Sequence, residues 1–293
     1  MAACMMVRVG VALVWLLHFL PLGVLAKLGE YSGMLLFMLG HERRNVARTN
    51  LRLCFPQWSH EKREKILRRH FRAFGRNLLE HGILWWSSRE RIKKLVRVEG
   101  QENWEEVKDK PVIFLAPHFV GLDMGGTRLH AEIFGASMYS MQKNSLVNAL
   151  LLRGRTRFGD YILVSRHQGI RPVIKALRAG VPFYYLPDMD YGPRESMFVP
   201  FFDVPAATIP TLSRLVRITG AKVVPCVTRQ LPGGQGYVVK FYPAWEDFPG
   251  NSIEDDTRRM NAFIEDRVLE MPEQYFWLHK RFKTRPPGEA KPY

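Results

Sequence analysis

The chain has 293 residues, 43 Lys and Arg against 28 Asp and Glu for a formal net charge of +15, 46% hydrophobic residues and 12% aromatic residues. It is too apolar and aromatic for a disordered tail, and long enough to bury a sizeable core without staples. The cationic excess attracts nucleic acid, anionic lipid or an acidic protein without choosing among them, and the three cysteines, Cys4, Cys54 and Cys226, lie far apart without CxxC or His partners at ligand spacing, which suggests a reducing compartment and neither zinc site nor disulfide framework.

Val9 to Ala26 reads VGVALVWLLHFLPLGVLA and carries no formal charge. As one helix rising about 1.5 Å per residue it nearly crosses a hydrocarbon core of roughly 30 Å. A second apolar run, Met34 to Leu39, ends at His41-Glu42-Arg43-Arg44. Residues 1–40 are therefore expected to form an N-terminal membrane anchor or deep interfacial segment. A buried core helix and a cleaved signal are the alternatives, although Leu25-Ala26-Lys27 is a poor cleavage site. The cations that follow place the body of the protein on the cytoplasmic side by the positive-inside tendency.

Residues 41–100 read as basic amphipathic helices. Leu67, Phe71, Phe74 and Leu78 recur at helical spacing while Lys62, Arg63, Lys65, Arg68, Arg69 and Arg72 fill other faces. That pattern suits first a solvated face over a core stripe, and alternatively or together with it an anionic membrane surface helped by Trp85-Trp86. From 101 to 285 short apolar runs closed by Pro, Gly and Asp predict strands at 111–116, 136–140, 182–186, 222–227 and 237–242. Helices are predicted at 169–179, 208–219 and 254–270. The alternation implies an α/β domain with a central mixed sheet flanked by helices. Residues 286–293 form a Pro-rich, extended tail.

The sharpest feature is the strand PVIFLA followed by Pro117-His118-Phe119-Val120-Gly121-Leu122-Asp123. Ligand crevices of open α/β sheets lie beyond the carboxyl ends of strands, where this histidine falls. Five residues along one helix would set His118 and Asp123 about 140° apart, so they pair only if the turn between them is not helical. Paired, Asp123 would orient the imidazole and leave His118 as a general base; unpaired, His118 is a packing or capping residue. The chain has no Walker loop, GxGxxG, HExxH or GxSxG pattern, and Cys226 reads as a core residue.

His118-x4-Asp123 is similar to the HX4D/E motif of the lysophospholipid acyltransferase superfamily. Pro187-Asp188-Met189-Asp190-Tyr191-Gly192-Pro193, then Phe198-Val199-Pro200-Phe201-Phe202, then the run from Pro272 to Arg285, PEQYFWLHKRFKTR, resemble the late acyltransferases of lipid A biosynthesis. The resemblance covers nearly the whole chain, with two departures: many members have Glu at the place of Asp123 and Gly at the place of Asp203. It implies that residues 41–285 form an acyltransferase domain. That domain would move a fatty acyl chain from acyl carrier protein to a hydroxyl of a lipid A precursor, on the cytoplasmic face of the inner membrane and among its lipids. His118 would be the base, Asp123 its orienting carboxylate, and the oxyanion would meet amides of the turn after His118 and an arginine. Arg155 and Arg166, favoured over Arg153 and Arg157, would bind acceptor phosphate, and Asp188 and Asp190 would line the site, with turn formation as their alternative role. Trp277, Arg281 and Lys283 read as structural or membrane-surface residues. No metal or cofactor is required and no nucleic acid is expected as a partner. A different glycolipid or lysophospholipid acceptor, thioester hydrolysis and a non-enzymatic basic module stay open as competing readings.

Overall fold

The structure is a computed structural model that describes residues 2–293, with side chains from Met5 onward, so Cys4 lies outside the described side chains. Helix α1 (Ala2–Leu17) and helix α2 (Leu22–Leu39) replace the single span expected from Val9 to Ala26. Pro21 is the reason: it has no amide to continue the ladder, disfavours helical backbone at Leu20, and stands as N-cap of α2. Helix α2 has 18 residues, a mean hydropathy of 1.4 and a third of its residues buried, a length of about 27 Å. It is the one described helix long and apolar enough to cross a membrane.

Helix α2 buries Leu22, Leu25, Ala26, Gly29, Gly33 and Phe37, a single stripe. Helices α3 (His41–Cys54), α4 (His60–Trp86) and α5 (Arg89–Leu95) follow, the last two capped by the side chains of Ser59 and Ser88. The α2 stripe lies on α4, where Gly29 and Gly33 meet Gly75 backbone to backbone; a Cβ on Gly29 would stand 2.5 Å from Arg76 Cα. The opposite face of α2 and most of α1 remain open. Among the described residues, fourteen of the twenty exposed large hydrophobic side chains lie between Met5 and Leu39, a concentration that single scattered surface residues do not produce. Trp85, which with Trp86 favoured the membrane-surface alternative, is buried against Gly154, and Trp86 packs near His18.

The rest alternates: β1 (Val96–Glu99), α6 (Gln101–Glu105), β2 (Val112–Leu115), α7 (Leu122–His130), β3 (Ala136–Tyr139), α8 (Ser145–Thr156), β4 (Ile162–Ser165), a 3₁₀ turn (Arg166–Gln168), α9 (Arg171–Arg178) and β5 (Phe183–Tyr185). After these come β6 (Met197–Phe201), β7 (Val204–Thr208), α10 (Thr211–Thr219), β8 (Lys222–Gln230), β9 (Tyr237–Phe241) and α11 (Ile253–Glu270). Seven strands form one mixed sheet in the order β1-β9-β8-β2-β5-β3-β4. From β8 to β4 all neighbours are parallel, whereas β9 runs antiparallel to β8. Ile113 and Leu115 of β2 face a core with α3, α9, α10 and α11, and Val112 and Phe114 face one with α5, α7 and part of α4.

Strands β6 and β7 make a separate antiparallel hairpin whose turn residues Phe202 and Asp203 have φ of 49° and 61°. A two-residue loop with both residues left-handed matches the right-handed strand twist. Asp203, where many members of the family have Gly, thus takes up a left-handed conformation that glycine adopts most readily. Asp adopts it where a β-branched residue would not, because its short side chain tolerates left-handed backbone. Asp203→Val is expected to lower stability by about 1–2 kcal/mol and Asp203→Gly to leave it near that of the wild type, as read by chemical denaturation. At the other close approach, Gly75→Val is expected to lever α2 off α4. Limited proteolysis should then cut residues 18–40 in the variant and spare them in the wild type.

Candidate active site

Strands β2 and β5 pair in register as Leu115 with Tyr185, so the third residue beyond each, His118 and Asp188, stand side by side at the carboxyl edge of the sheet. Pro117 and Pro187 precede them and lack the amide that would extend the ladder. Asp188 accepts from the His118 backbone amide at 3.2 and 3.1 Å and from the ring Nδ1 at 2.7 Å. It is 2% exposed. Burial pushes its pKa up, but the His118 charge and hydrogen bonds, with the Arg281 charge, outweigh burial and hold it below the ordinary value. Because Nδ1 is occupied, Nε2 is the nitrogen left to meet a substrate.

The pairing expected between His118 and Asp123 is absent. Helix α7 begins at Leu122, so Asp123 lies in its first turn and points instead to Arg155 Nη2 at 3.0 Å and His81 Nε2 at 3.4 Å. Burial raises Asp123, and the Arg155 charge with the His81 bond more than reverses that, leaving it well below the usual carboxylate range. For His81 burial acts downward, and the Asp123 bond and charge lift its pKa above 6.5.

A cavity of about 620 Å³ opens beside His118, walled by the carboxyl ends of β3 and β5, by α8 and by α9 and α10. Its apolar lining includes Ile174, Phe183, Leu215 and Ile218, and Arg155, Arg166 and Arg214 add cations to the wall. Arg166 stacks on Tyr191 at 3.7 Å from the ring centre. Arg153 is exposed on α8, and Arg157 turns away to donate to Ser87 O. Arg214 was not singled out from sequence; its position on a helix of unremarkable composition gave no signal.

Asp190, expected to line the site, does not reach the cavity. It is buried and accepts from Gly192 N at 2.9 Å, Thr284 N at 2.8 Å and Thr284 Oγ1 at 2.8 Å, which ties the loop after β5 to the C-terminal segment. Asp188 likewise holds neither an arginine nor open space: its partner is His118. Two amides of the turn expected to serve an oxyanion are also occupied, Phe119 N on Pro117 O and Val120 N on Gln274 O, both at 2.8 Å. Phe276 N donates to His118 O at 2.9 Å, so the segment after α11 braces the histidine loop from behind. Arg281, 2% exposed, donates to Ala207 O and Thr208 Oγ1, each at 2.8 Å. His279 accepts from Asp190 N at 2.9 Å and is pushed down to about 4 by burial and by Arg281, so it is neutral. Cys226 is buried in β8, as expected of a core residue.

Sequence comparison places these features in context. The family model described as Bacterial lipid A biosynthesis acyltransferase matches residues 2–284. The chain is 35% identical over 287 residues, 97% of its length and 93% of the relative's, to a lipid A biosynthesis lauroyltransferase of Escherichia coli (strain K12). It is 34% identical, with the same coverage, to a lipid A biosynthesis palmitoleoyltransferase of that strain. Among solved structures, the 1-acyl-sn-glycerophosphate acyltransferase PlsC from Thermotoga maritima matches with a TM-score of 0.39 and 18% identity over 86% of this chain and 97% of that one.

Depressed carboxyl groups at Asp123 and Asp188 contribute stability above their unfolded values near pH 4, which is lost as pH falls through the folded values. Asp123→Asn is therefore expected to reduce stability at pH 7 and to show a shallower loss than the wild type between about pH 4 and 2, measured by denaturation at each pH. The His81 share has the opposite sign. It is fully present below about 6.5 and is lost as pH rises through the raised value, so His81→Gln should flatten that alkaline limb.

Proposed function

Because the chain belongs to the bacterial lipid A biosynthesis acyltransferase family, we propose that this acyltransferase moves a fatty acyl chain from acyl carrier protein to a hydroxyl of a lipid A precursor. The observation that carries the reading is His118, held through Nδ1 by a buried carboxylate while lining a cavity that is apolar in part and cationic at its wall. His118 Nε2 takes the proton of the acceptor hydroxyl as its oxygen bonds to the thioester carbonyl carbon. The tetrahedral intermediate collapses, the carbon–sulfur bond breaks, and the thiolate leaves with the proton returned by the imidazolium. No acyl-enzyme is needed, which agrees with the burial of Cys54 and Cys226.

Asp188 fixes the tautomer and balances the imidazolium, the role that the sequence spacing suggested for Asp123. Asp123 acts one step away by holding Arg155 in the cavity wall. The amides of Phe119 and Val120 are occupied, and the guanidinium groups of the cavity wall are donors suited to the oxyanion and to acceptor phosphate. The exposed apolar faces of α1 and α2, followed by Arg43 and Arg44, support residence at the inner membrane with the catalytic part on its cytoplasmic face.

The test uses purified full-length protein, carrier protein charged with lauroyl or myristoyl chains, and a tetraacyl lipid A precursor, with the lipid product read by mass. The expected product is heavier by one acyl chain. His118→Ala and Asp188→Asn should lower kcat by about 10²–10⁴-fold, whereas Asp123→Asn should appear mainly as a higher KM for the acceptor. Wild-type turnover by Asp188→Asn would remove that carboxylate from the mechanism. Release of free fatty acid without lipid product would replace transfer by hydrolysis.

A further inference from the structure

Beside the cavity mouth, two neighbouring helices carry charge of one sign only. Helix α9 turns Val173, Ala176 and Leu177 into the core and leaves Arg171, Lys175 and Arg178 exposed, one turn apart in succession. Helix α10 buries Leu212, Leu215 and Val216 and leaves Arg214 and Arg217 outside. The two helices pack on each other, and neither contains an acidic residue. Among the described residues, Arg217 alone of these five cations has a carboxylate in ion-pair range, Asp256 at 3.1 Å. The same helices wall the His118 cavity through Ile174, Leu215 and Ile218, and Ile218 is 50% exposed, so the basic face borders the opening itself.

We infer that the exposed face of α9 and α10 is the docking surface for an acidic carrier protein, which presents its acyl thioester to the adjoining cavity. The inference rests on the donor reading above and adds where the donor binds. A membrane occupant fits this face poorly. Interfacial helices set Trp, Phe or Leu between lipid and their cations, whereas α9 and α10 turn their apolar residues inward except Ile218 at the cavity mouth. The bilayer already has a better partner in the open faces of α1 and α2. Exposed like charges at one-turn intervals instead match an acidic helix, and opposed patches of that kind raise encounter rates and fix orientation.

The experiment compares wild-type protein with Arg171→Glu/Lys175→Glu, two positions outside the cavity lining, and with the milder Lys175→Gln/Arg178→Gln. Each is assayed with the acyl chain on carrier protein and with the same chain on pantetheine. Binding of the carrier protein alone is measured by fluorescence anisotropy at two salt concentrations, and sedimentation is measured with phosphatidylglycerol vesicles. The expected result is a KM for the carrier-bound donor raised about tenfold or more in the charge-reversed protein and less in the neutralised one, with kcat for the pantetheine donor and vesicle binding unchanged. A carrier KM within about twofold of the wild type overturns the assignment, and loss of vesicle binding with that KM intact hands the face to anionic lipid. Should the wild type turn over neither donor, the donor reading fails by itself. The anisotropy arm then decides the surface: binding lost on charge reversal supports it, and equal or absent binding overturns it.

Discussion

The Asp188 carboxylate is the constraint on which the site depends. One buried anion receives both the backbone amide and the ring nitrogen of His118, so it fixes the position of the residue and the direction of its imidazole together. It can do so because β2 and β5 are adjacent, parallel and in register, with Ala116 N still donating to Tyr185 O at 2.8 Å before both strands reach a proline. A buried carboxylate without such donors would take up a proton. Here the imidazole supplies the compensation on one side and the Arg281 charge adds to it from the interior.

The loops at this edge carry few hydrogen bonds of regular structure, and the C-terminal segment replaces them. Gln274 and Phe276 bond the strand of chain around His118, Thr284 bonds Asp190, and Asn50 of α3 holds the carbonyls of Trp277 and His279, each at 2.8 Å. That segment, which carries part of the family resemblance, supports the site through its backbone and lines none of the cavity. A neutral His279 belongs to the same logic, since its lone pair is needed as an acceptor for Asp190 N.

Much of the architecture was legible because apolar runs and helical periods report burial. The strands at β2, β3, β5, β8 and β9 and the helices at α9, α10 and α11 fall where the pattern put them. Four strands carry no such signal: VRVE of β1 and ILVS of β4 are short, β1 carries charge and β4 is only partly buried at the sheet edge, while Pro200 in β6 and Pro205 in β7 argue against strands. The N-terminal apolar run divides into two helices instead of one because summed hydrophobicity is blind to the backbone effect of Pro21. At the site, spacing favoured Asp123 as the partner of His118, yet spacing along one segment says nothing about contacts across a sheet. A signal for the true partner does exist in the sequence: PVIFLAPH and PFYYLPD are two strands that each end in proline and then a polar residue at the same offset.

The engagement of Asp123 with Arg155 changes the electrical character of the cavity. It pairs one guanidinium, and Arg166 and Arg214 share the lining with Glu195, so the wall keeps a cationic balance. Apolar side chains occupy much of the remaining lining, with Ser140, Gln142 and Asn148 among the polar exceptions. A substrate suited to such a space has a long apolar portion, an anionic group and a carbonyl within reach of one imidazole. Water at His118 would gain nothing from such walls. On the proposed mechanism, discrimination between transfer and hydrolysis follows from how completely the acceptor fills this cavity, and the residues that hold its shape far from His118 contribute to the choice of reaction.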